Sequence, residues 1–219
     1  MADLATAPVC TILDYGAGNV RSLRNAIHFL GFATRDVACP KDIEDAEMLV
    51  FPGVGSFGHT MQALRDMGVT EVLREYVRAD RPFLGICLGL QTLFEESDEA
   101  PGEAGLGIIP GRIRRFDASL GPVPHMGWNG VSQLAPSPLL EGLRDREDLV
   151  YFVHSFRADL DGPAAAEWGL GATTYLGSGF LSALQRGNVC ATQFHPEKSG
   201  DVGLRLLRNF LARGGRVAP

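Results

Sequence analysis

A cysteine flanked by two glycines is the residue of this chain whose setting points most clearly to chemistry. Cys87 stands between Gly85 and Gly89 in the stretch L-G-I-C-L-G-L-Q, and the apolar run 83–86 before it is typical of a buried strand. In the segment after it, Leu90, Leu93 and Phe94 are spaced as on one face of a helix. This G-x-C-x-G pattern is the thiol counterpart of the nucleophile elbow, a sharp turn that exposes a side chain at the carboxyl end of a sheet. The pattern therefore predicts a nucleophilic Cys87, against the alternative of a small buried core residue.

A base for this thiol is predicted near the C-terminus, where His195-Pro196-Glu197 follows the apolar run 189–194. Proline biases the preceding residue toward an extended backbone, so His195 and Glu197 are expected to project to the same side. The carboxylate would then hold one imidazole nitrogen while the other faces the thiol. The alternative is a pair of surface polar residues. His154 is a second candidate base, but a structural histidine at a strand end is favoured there.

An oxyanion hole is expected from the glycine-rich loop Pro52-Gly53-Val54-Gly55, which follows another predicted strand. The backbone N–H of Leu88 and that of Gly53 or Val54 would receive the negative charge of a tetrahedral intermediate. An ordinary tight turn explains this loop equally well. The chain order Cys, His, Glu differs from the Ser, Asp, His order of α/β hydrolases.

The elements that must position these residues predict an α/β fold. Apolar runs at 9–13, 32–37, 48–51 and 83–86 alternate with helical segments, which indicates parallel strands with right-handed crossovers. After residue 108 the runs are short and alternating, which favours antiparallel strands. We expect a three-layer sandwich with a mostly parallel central sheet and antiparallel additions in the C-terminal half. A loop is predicted over 95–107, and a single domain over 9–219 after a flexible tail at 1–8.

Composition narrows the classes of function. The net charge of −6 and the lack of a basic stripe argue against nucleic acid, and no apolar run reaches the ~20 residues that span a bilayer. The N-terminal residues show no secretion signal. The four cysteines form neither a C-x-x-C pair nor a metal-type spacing, so we expect no metal and a reducing cytoplasm. Cys10 and Cys190 lie in apolar runs, where core thiols are expected rather than a disulfide. The D-Y-G-A-G-N turn lacks a nucleotide fingerprint, which disfavours a cofactor.

Several motifs in order give the chain a family resemblance. L-G-I-C-L-G-L-Q and F-H-P-E-K-S resemble the class I, triad-type glutamine amidotransferases. With D-Y-G-A-G-N, P-G-V-G-S-F, V-P-H-M-G-W-N and Y-F-V-H-S-F, the match is closer to the glutaminase subunits of imidazole glycerol phosphate synthases and covers nearly the whole chain. Two departures, Leu90 in place of methionine and Phe156 in place of tyrosine, supply no catalytic group.

The resemblance implies a glutaminase of histidine biosynthesis without a cofactor. Cys87 would form a glutamyl thioester and release ammonia, and His195 would protonate the ammonia and then activate water. Gln91 and the backbone around Ser155 and Phe156 would hold the glutamine. The loop 52–55 would act as the oxyanion strand, and we hypothesise low activity of the isolated chain because this loop is misoriented.

The resemblance also implies a heterodimer with a cyclase subunit that has a (β/α)₈ barrel. Ammonia would pass into that barrel and yield imidazole glycerol phosphate and aminoimidazole carboxamide ribonucleotide. The residues expected toward the barrel are Asn19, Pro124, His125, Met126, Trp128 and Lys198.

The residues alone do not identify glutamine as the substrate. A cysteine nucleophile with a His–Glu pair also fits a cysteine-type hydrolase or peptidase, which would act on esters or peptides without a partner. A non-catalytic binding module that keeps the fold would form no thioester.

Overall fold

A computed structural model describes residues 8–16 and 20–215 of the 219. The first half of the chain alternates strands with helices, as expected. Its strands are β1 Val9–Ile12, β2 Ala33–Asp36, β3 Leu49–Gly53 and β4 Phe83–Cys87, and its helices are α1 Val20–Phe29, α2 Pro40–Glu44, α3 Phe57–Asp66, α4 Thr70–Arg78 and α5 Leu88–Gln91. Apart from Pro8, the tail predicted at 1–8 lies outside the described residues.

The second half is mostly strand. Its strands are β5 Phe94–Ser97, β6 Ile109–Arg115, β7 His125–Gly130, β8 Ser132–Gln133, β9 Leu149–His154, β10 Phe156–Asp159, β11 Gly169–Tyr175, β12 Ser178–Arg186 and β13 Val189–Thr192. Helices α6 Ala164–Trp168 and α7 Gly200–Leu211 and short 3₁₀ helices at Pro138–Leu140 and Pro196–Lys198 complete the described elements.

A large mixed sheet runs through the centre of the molecule. The strand order is β2-β1-β3-β4-β13-β12-β10-β6-β5, with β11 against β12 and β8 against β11. The pairs from β2 to β13 are parallel, whereas β12 pairs antiparallel with β13, β10 and β11. The expected mixture of a parallel half and antiparallel additions is thus confirmed. The carboxyl ends of β3, β4 and β13 meet at one edge, where a doubly wound sheet places its ligands.

Helices cover both faces of this sheet because its strands alternate apolar side chains between them. On β4, Leu84 and Ile86 join one apolar core, whereas Phe83 joins the other. Helices α1 and α7 bury their apolar stripes against the first core, and α3 and α4 bury theirs against the second. The result is the expected three-layer arrangement.

One local prediction is wrong, and one strand was missed. Residues 94–97 form β5, although the leucine spacing extended a helix through Phe94 and a loop was expected from Glu95. The helix ends at Gln91 because the chain then turns so that β5 pairs in parallel with β6. Strand β7 was not predicted, since H-M-G-W-N-G lacks β-branched residues; its backbone partners come from β9 in a separate two-stranded ribbon.

Across residues 8–16 and 20–215, none of the helices combines the length and the apolar character that crossing a bilayer requires.

Candidate active site

Cys87 ends β4 and begins the turn into α5, as the elbow pattern predicts. Its φ of 56° lies in the left-handed region that non-glycine residues rarely adopt. Such backbone strain persists only where the surroundings impose it, and it is concentrated at functional sites. The thiol is 6% exposed, so it lies at the base of the site rather than on an open surface.

The flanking glycines are required by close packing around this turn. A Cβ on Gly89 would lie 2.0 Å from the carbonyl oxygen of Phe51, and a Cβ on Gly85 would lie 2.6 Å from the carbonyl oxygen of Gly89. Gly53, opposite Cys87 in the β3–β4 register, has no more room, because its Cβ would lie 2.4 Å from that of Leu88. The glycines thus let strand β3, strand β4 and helix α5 approach one another closely.

His195 and Glu197 form a buried pair just beyond β13. Their side chains are 2% and 6% exposed, and Nδ1 of His195 lies 2.8 Å from Oε1 of Glu197. The pair meets within the 3₁₀ turn Pro196–Lys198 rather than along a fully extended segment. Nε2 of His195 and Oε2 of Glu197 are buried and find no hydrogen-bond partner in the described parts of the chain. Buried polar atoms without a partner are uncommon, and a catalytic role is one explanation for them.

The electrostatic setting favours a protonated imidazole. Desolvation by burial lowers the pKa of His195, but the nearby Cys87 and the hydrogen-bonded Glu197 raise it more, to about 10. Because Nδ1 faces the carboxylate, Nε2 is the nitrogen that can exchange a proton with the thiol. The arrangement places a base and its orienting carboxylate beside the thiol.

The expected oxyanion loop is held by a tyrosine that sequence reasoning missed. The N–H of Val54 donates to the hydroxyl of Tyr15 at 3.2 Å, and that hydroxyl donates to the carbonyl oxygen of Val54 at 3.0 Å. Thr60 donates to the same hydroxyl at 3.1 Å. Burial raises the pKa of Tyr15, so the hydroxyl keeps its proton. The Val54 N–H is therefore already engaged by Tyr15.

Gln91, predicted to hold the substrate, is 3% exposed and has a fixed orientation. Its Nε2 donates to the carbonyl oxygen of Phe156 and to Oε1 of Gln193, both at 3.0 Å. Since both N–H groups are used, Oε1 of Gln91 is left as the acceptor for a ligand. Ser155, also predicted here, is half-buried and its carbonyl oxygen accepts from the N–H of Phe116.

Gln193 is a second residue that the sequence reasoning missed. It is completely buried, and its Nε2 lies 3.6 Å from the sulfur of Cys87. The period-two spacing between Gln193 and His195 would have placed both side chains on the same side of this segment.

His154 does not serve the thiol. Its Nδ1 donates to the carbonyl oxygen of Phe156 at 2.8 Å, so its Nε2 accepts from Nδ1 of His125 at 3.2 Å. Both rings are buried, and desolvation lowers the pKa of His154 to about 3 and that of His125 to about 4. Neutral rings in a ring-stacked core confirm the structural interpretation of His154.

The residues predicted to face a partner are only partly together. Met126 and Trp128 of β7 are 63% and 54% exposed, and Pro124 is exposed beside them. His125 points inward instead, and Lys198 is half-buried. Asn19 lies outside the described residues. Leu149, opposite Gly130 on β9, adds a further exposed apolar side chain to the β7–β9 ribbon.

The four cysteines are free, and Cys10, Cys87 and Cys190 are buried. The described residues bring together no group of three or more His, Cys, Asp or Glu side chains that could hold a metal ion.

Comparisons with known proteins identify the family of this chain. A model of the glutamine amidotransferase class-I family matches residues 11–213. The chloroplastic imidazole glycerol phosphate synthase hisHF of Arabidopsis thaliana is 52% identical over 93% of this chain, which covers 34% of that relative. The imidazole glycerol phosphate synthase subunit HisH of Deinococcus radiodurans is 47% identical, covering 93% of each chain.

Among solved structures, PurLQS from Thermotoga maritima superposes with a TM-score of 0.74 at 18% identity, covering 95% of this chain and 99% of that one, which shows a shared fold. The chain spans between 34% and 38% of the hisHF relatives from Arabidopsis thaliana, Schizosaccharomyces pombe and Emericella nidulans. On the family match and the identity to full-length HisH subunits, this chain belongs to the class-I glutamine amidotransferases and, within them, to the HisH subunits of imidazole glycerol phosphate synthase.

Proposed function

We propose that this chain is a glutaminase that hydrolyses glutamine to glutamate and ammonia for imidazole glycerol phosphate synthesis. The observation that carries the proposal is the buried His195–Glu197 pair, whose free Nε2 accompanies a thiol held on a strained elbow. The elbow alone would fit any nucleophile. Together with the pair, it supplies nucleophile, base and orienting carboxylate.

The reaction proceeds in two halves. The Cys87 thiolate attacks the side-chain amide carbon, and the C–N bond breaks as Nε2 of His195 gives its proton to the leaving ammonia. The product is a glutamyl thioester on Cys87. Water then loses a proton to Nε2 and attacks the thioester, which releases glutamate and regenerates the thiolate–imidazolium pair. Glu197 stabilises the imidazolium throughout by accepting from Nδ1.

Gln91 and the carbonyl oxygen of Phe156 form the floor of the substrate pocket in this proposal. Oxygen Oε1 of Gln91 is the acceptor that remains after its two donated hydrogen bonds, and it suits the ammonium group of an amino-acid substrate. Ser155 precedes Phe156 in sequence, and its backbone is proposed to hold the substrate as well.

The oxyanion hole consists of the N–H groups of Leu88 and of Gly53 or Val54. Only a donor aimed at the developing negative charge stabilises it. Because the Val54 N–H is bonded to Tyr15, the loop must release that bond before Val54 can contribute. The isolated chain is therefore expected to be a poor glutaminase, and a loaded partner would activate it.

The partner is a cyclase subunit with a (β/α)₈ barrel, joined in a heterodimer. The relatives named hisHF are longer chains, and this chain matches only about a third of each, so a second part is joined to the matching one. Such a fusion supports a pairing of two subunits.

The exposed apolar face of the β7–β9 ribbon, with Met126, Trp128 and Leu149, is the proposed contact, since aromatic residues and methionine are enriched at interfaces. Asn19, Pro124 and Lys198 remain proposed at its border, whereas the buried His125 would support the ribbon from its inner side. Ammonia would pass across this contact to yield imidazole glycerol phosphate and aminoimidazole carboxamide ribonucleotide in the cytoplasm. A single domain over 9–219 is proposed in line with the match to 11–213.

The test is glutamate release from glutamine by the chain alone, with the cyclase subunit, and with that subunit plus its ribonucleotide substrate. Cys87→Ala should abolish release under every condition. Cys39→Ala is the matched control, because Cys39 is an exposed free cysteine beside α2. Stimulation that is lost in C87A and retained in C39A supports the proposal. No release under any condition, or hydrolysis of esters or peptides without a partner, would contradict it.

A further inference from the structure

Gln193 occupies a position that space-filling alone does not explain. It follows β13 directly and its side chain is completely buried at the carboxyl end of the sheet. Its backbone N–H donates to the carbonyl oxygen of Ser182 at 2.9 Å, which fixes the base of the side chain. A polar side chain at this depth is tolerated only when its groups are paired. The partners it has are therefore informative.

The amide of Gln193 can have only one orientation. Its Oε1 accepts from Nε2 of Gln91 at 3.0 Å, and that nitrogen also donates to the carbonyl oxygen of Phe156 at 3.0 Å. Two acceptors around one group identify it as the NH₂ of Gln91, so the atom of Gln193 that meets it must be oxygen. The NH₂ of Gln193 consequently faces the sulfur of Cys87 at 3.6 Å. A directed chain of hydrogen bonds thus links a strand end, a pocket residue and the nucleophile.

An N–H aimed at sulfur favours the thiolate over the thiol. A hydrogen bond to the charged form of a group stabilises that form, and the effect is larger where water is excluded. His195 accepts the proton of the thiol at Nε2, and Gln193 supplies a neutral donor to the sulfur that remains. The two groups act from one short segment, since residue 194 alone separates them.

We propose that Gln193 is a positioning residue that keeps the Cys87 sulfur aimed and charged and, with the same amide, locks Gln91 in its substrate-binding orientation. The first effect concerns the thiol itself and holds for any electrophile, whereas the second rests on the proposed glutaminase function. Removal of the amide should therefore lower the reactivity of Cys87 and weaken glutamine binding at the same time.

The test is alkylation of Cys87 by iodoacetamide across a pH series, followed by mass spectrometry of the peptide that contains it. Gln193→Met keeps most of the volume but has no N–H, and Gln193→Glu keeps the shape but brings a carboxylate to the sulfur. On the acidic side of the pH series, where only part of the thiol is ionised, we expect about tenfold slower alkylation in Q193M, because a hydrogen bond to a charged group contributes about one decade or more. In Q193E we expect slower alkylation still. In the complex with the cyclase subunit, kcat should fall and KM for glutamine should rise in Q193M.

Gln133→Met is the matched control, because its amide donates to the carbonyl oxygen of Leu143 outside the site. The proposal is supported if alkylation becomes slower from the parent to Q193M and slower again in Q193E, while Q133M reacts at the rate of the parent. Equal alkylation rates in the parent and both Gln193 variants would overturn it, and if Q193M fails to fold, Q193E decides. The alkylation readout needs no glutamine, so failure of the proposed function would leave this test intact.

Discussion

Replacement of Glu197 by glutamine isolates what the carboxylate contributes to the site. In Glu197→Gln the side chain keeps its length, and an amide oxygen can still accept from Nδ1 of His195 at the 2.8 Å separation seen here. The negative charge is the part that is lost. Because the Glu197 side chain is 6% exposed, water cannot replace that charge.

The expected magnitude follows from the loss of a charged hydrogen bond. Such a bond contributes about 1.5–3 kcal/mol, which corresponds to about one to two units in the pKa of His195. The pKa of His195 is raised to about 10 in the folded chain, from an ordinary value of 6.5. E197Q should lower it toward that ordinary value. The same energy applied to the transition state reduces kcat/KM by about 10- to 150-fold.

The raised pKa also predicts how stability varies with pH. Since folding favours the protonated imidazole, its pairing stabilises the fold fully below about pH 6.5 and is lost as the pH rises toward about 10. E197Q should therefore destabilise the chain most at the acidic end of this window and least at its alkaline end.

Two assays check this prediction. NMR titration of the His195 ring reports its pKa directly, and denaturant unfolding at several pH values reports the stability difference. Glu103→Gln is the matched control, because Glu103 forms an ion pair with Arg65 on the surface, away from the site. An unchanged His195 pKa in E197Q, or a stability loss that is the same at every pH, would refute the reasoning.

Three further predictions concern the loop, the elbow and the ribbon. Tyr15→Phe removes the hydroxyl that holds the Val54 N–H, so glutaminase activity of the chain alone should rise several-fold in a steady-state assay. Gly89→Ala places a Cβ 2.0 Å from a carbonyl oxygen, and overpacking of about 1–3 kcal/mol should lower Tm by about 2–4 °C per kcal/mol in a scan. Trp128→Ala should weaken binding to the cyclase subunit about 30-fold by calorimetry, as loss of about 2 kcal/mol at an aromatic anchor predicts.

Each of these changes has a control in the same chain. Tyr175→Phe removes a hydroxyl that bonds to the carbonyl oxygen of Pro122, and basal activity should not change. Gly58→Ala meets only a side-chain carbon at 3.3 Å and should leave Tm close to the parent value. Phe29→Ala removes a side chain that is 74% exposed on α1, and affinity for the partner should persist. Equal effects in a variant and its control would contradict the corresponding argument.

The sequence was sufficient for the parts of the fold whose apolar residues form a clear run or a helical stripe. Strands β1, β3 and β4 are apolar runs buried on both faces, and the helices between them have clear apolar stripes. Strand β7 has no apolar pattern of this kind, and its conformation is determined by its pairing with β9 rather than by its composition. Likewise, the pairing of β5 with β6 overrides the helical spacing at Phe94.

The same distinction applies to the site. Cys87, His195 and Glu197 could be chosen as candidates because a thiol between glycines and a His–Pro–Glu sequence each indicate a specific chemistry. Tyr15 and Gln193 were missed, because a tyrosine and an amide acquire their roles only from groups brought close by the fold. Val54 lies 39 residues from Tyr15 in sequence, and Cys87 lies 106 residues from Gln193.

The most direct test of the account is whether glutamine carbon becomes covalently attached to Cys87 during turnover. The chain, activated by the cyclase subunit and its ribonucleotide, would be mixed with radiolabelled glutamine, quenched in acid and digested. We predict label on the peptide that contains Cys87, release of that label by hydroxylamine as expected for a thioester, and no label in C87A. Glutamate formation without any label on Cys87 would contradict the account.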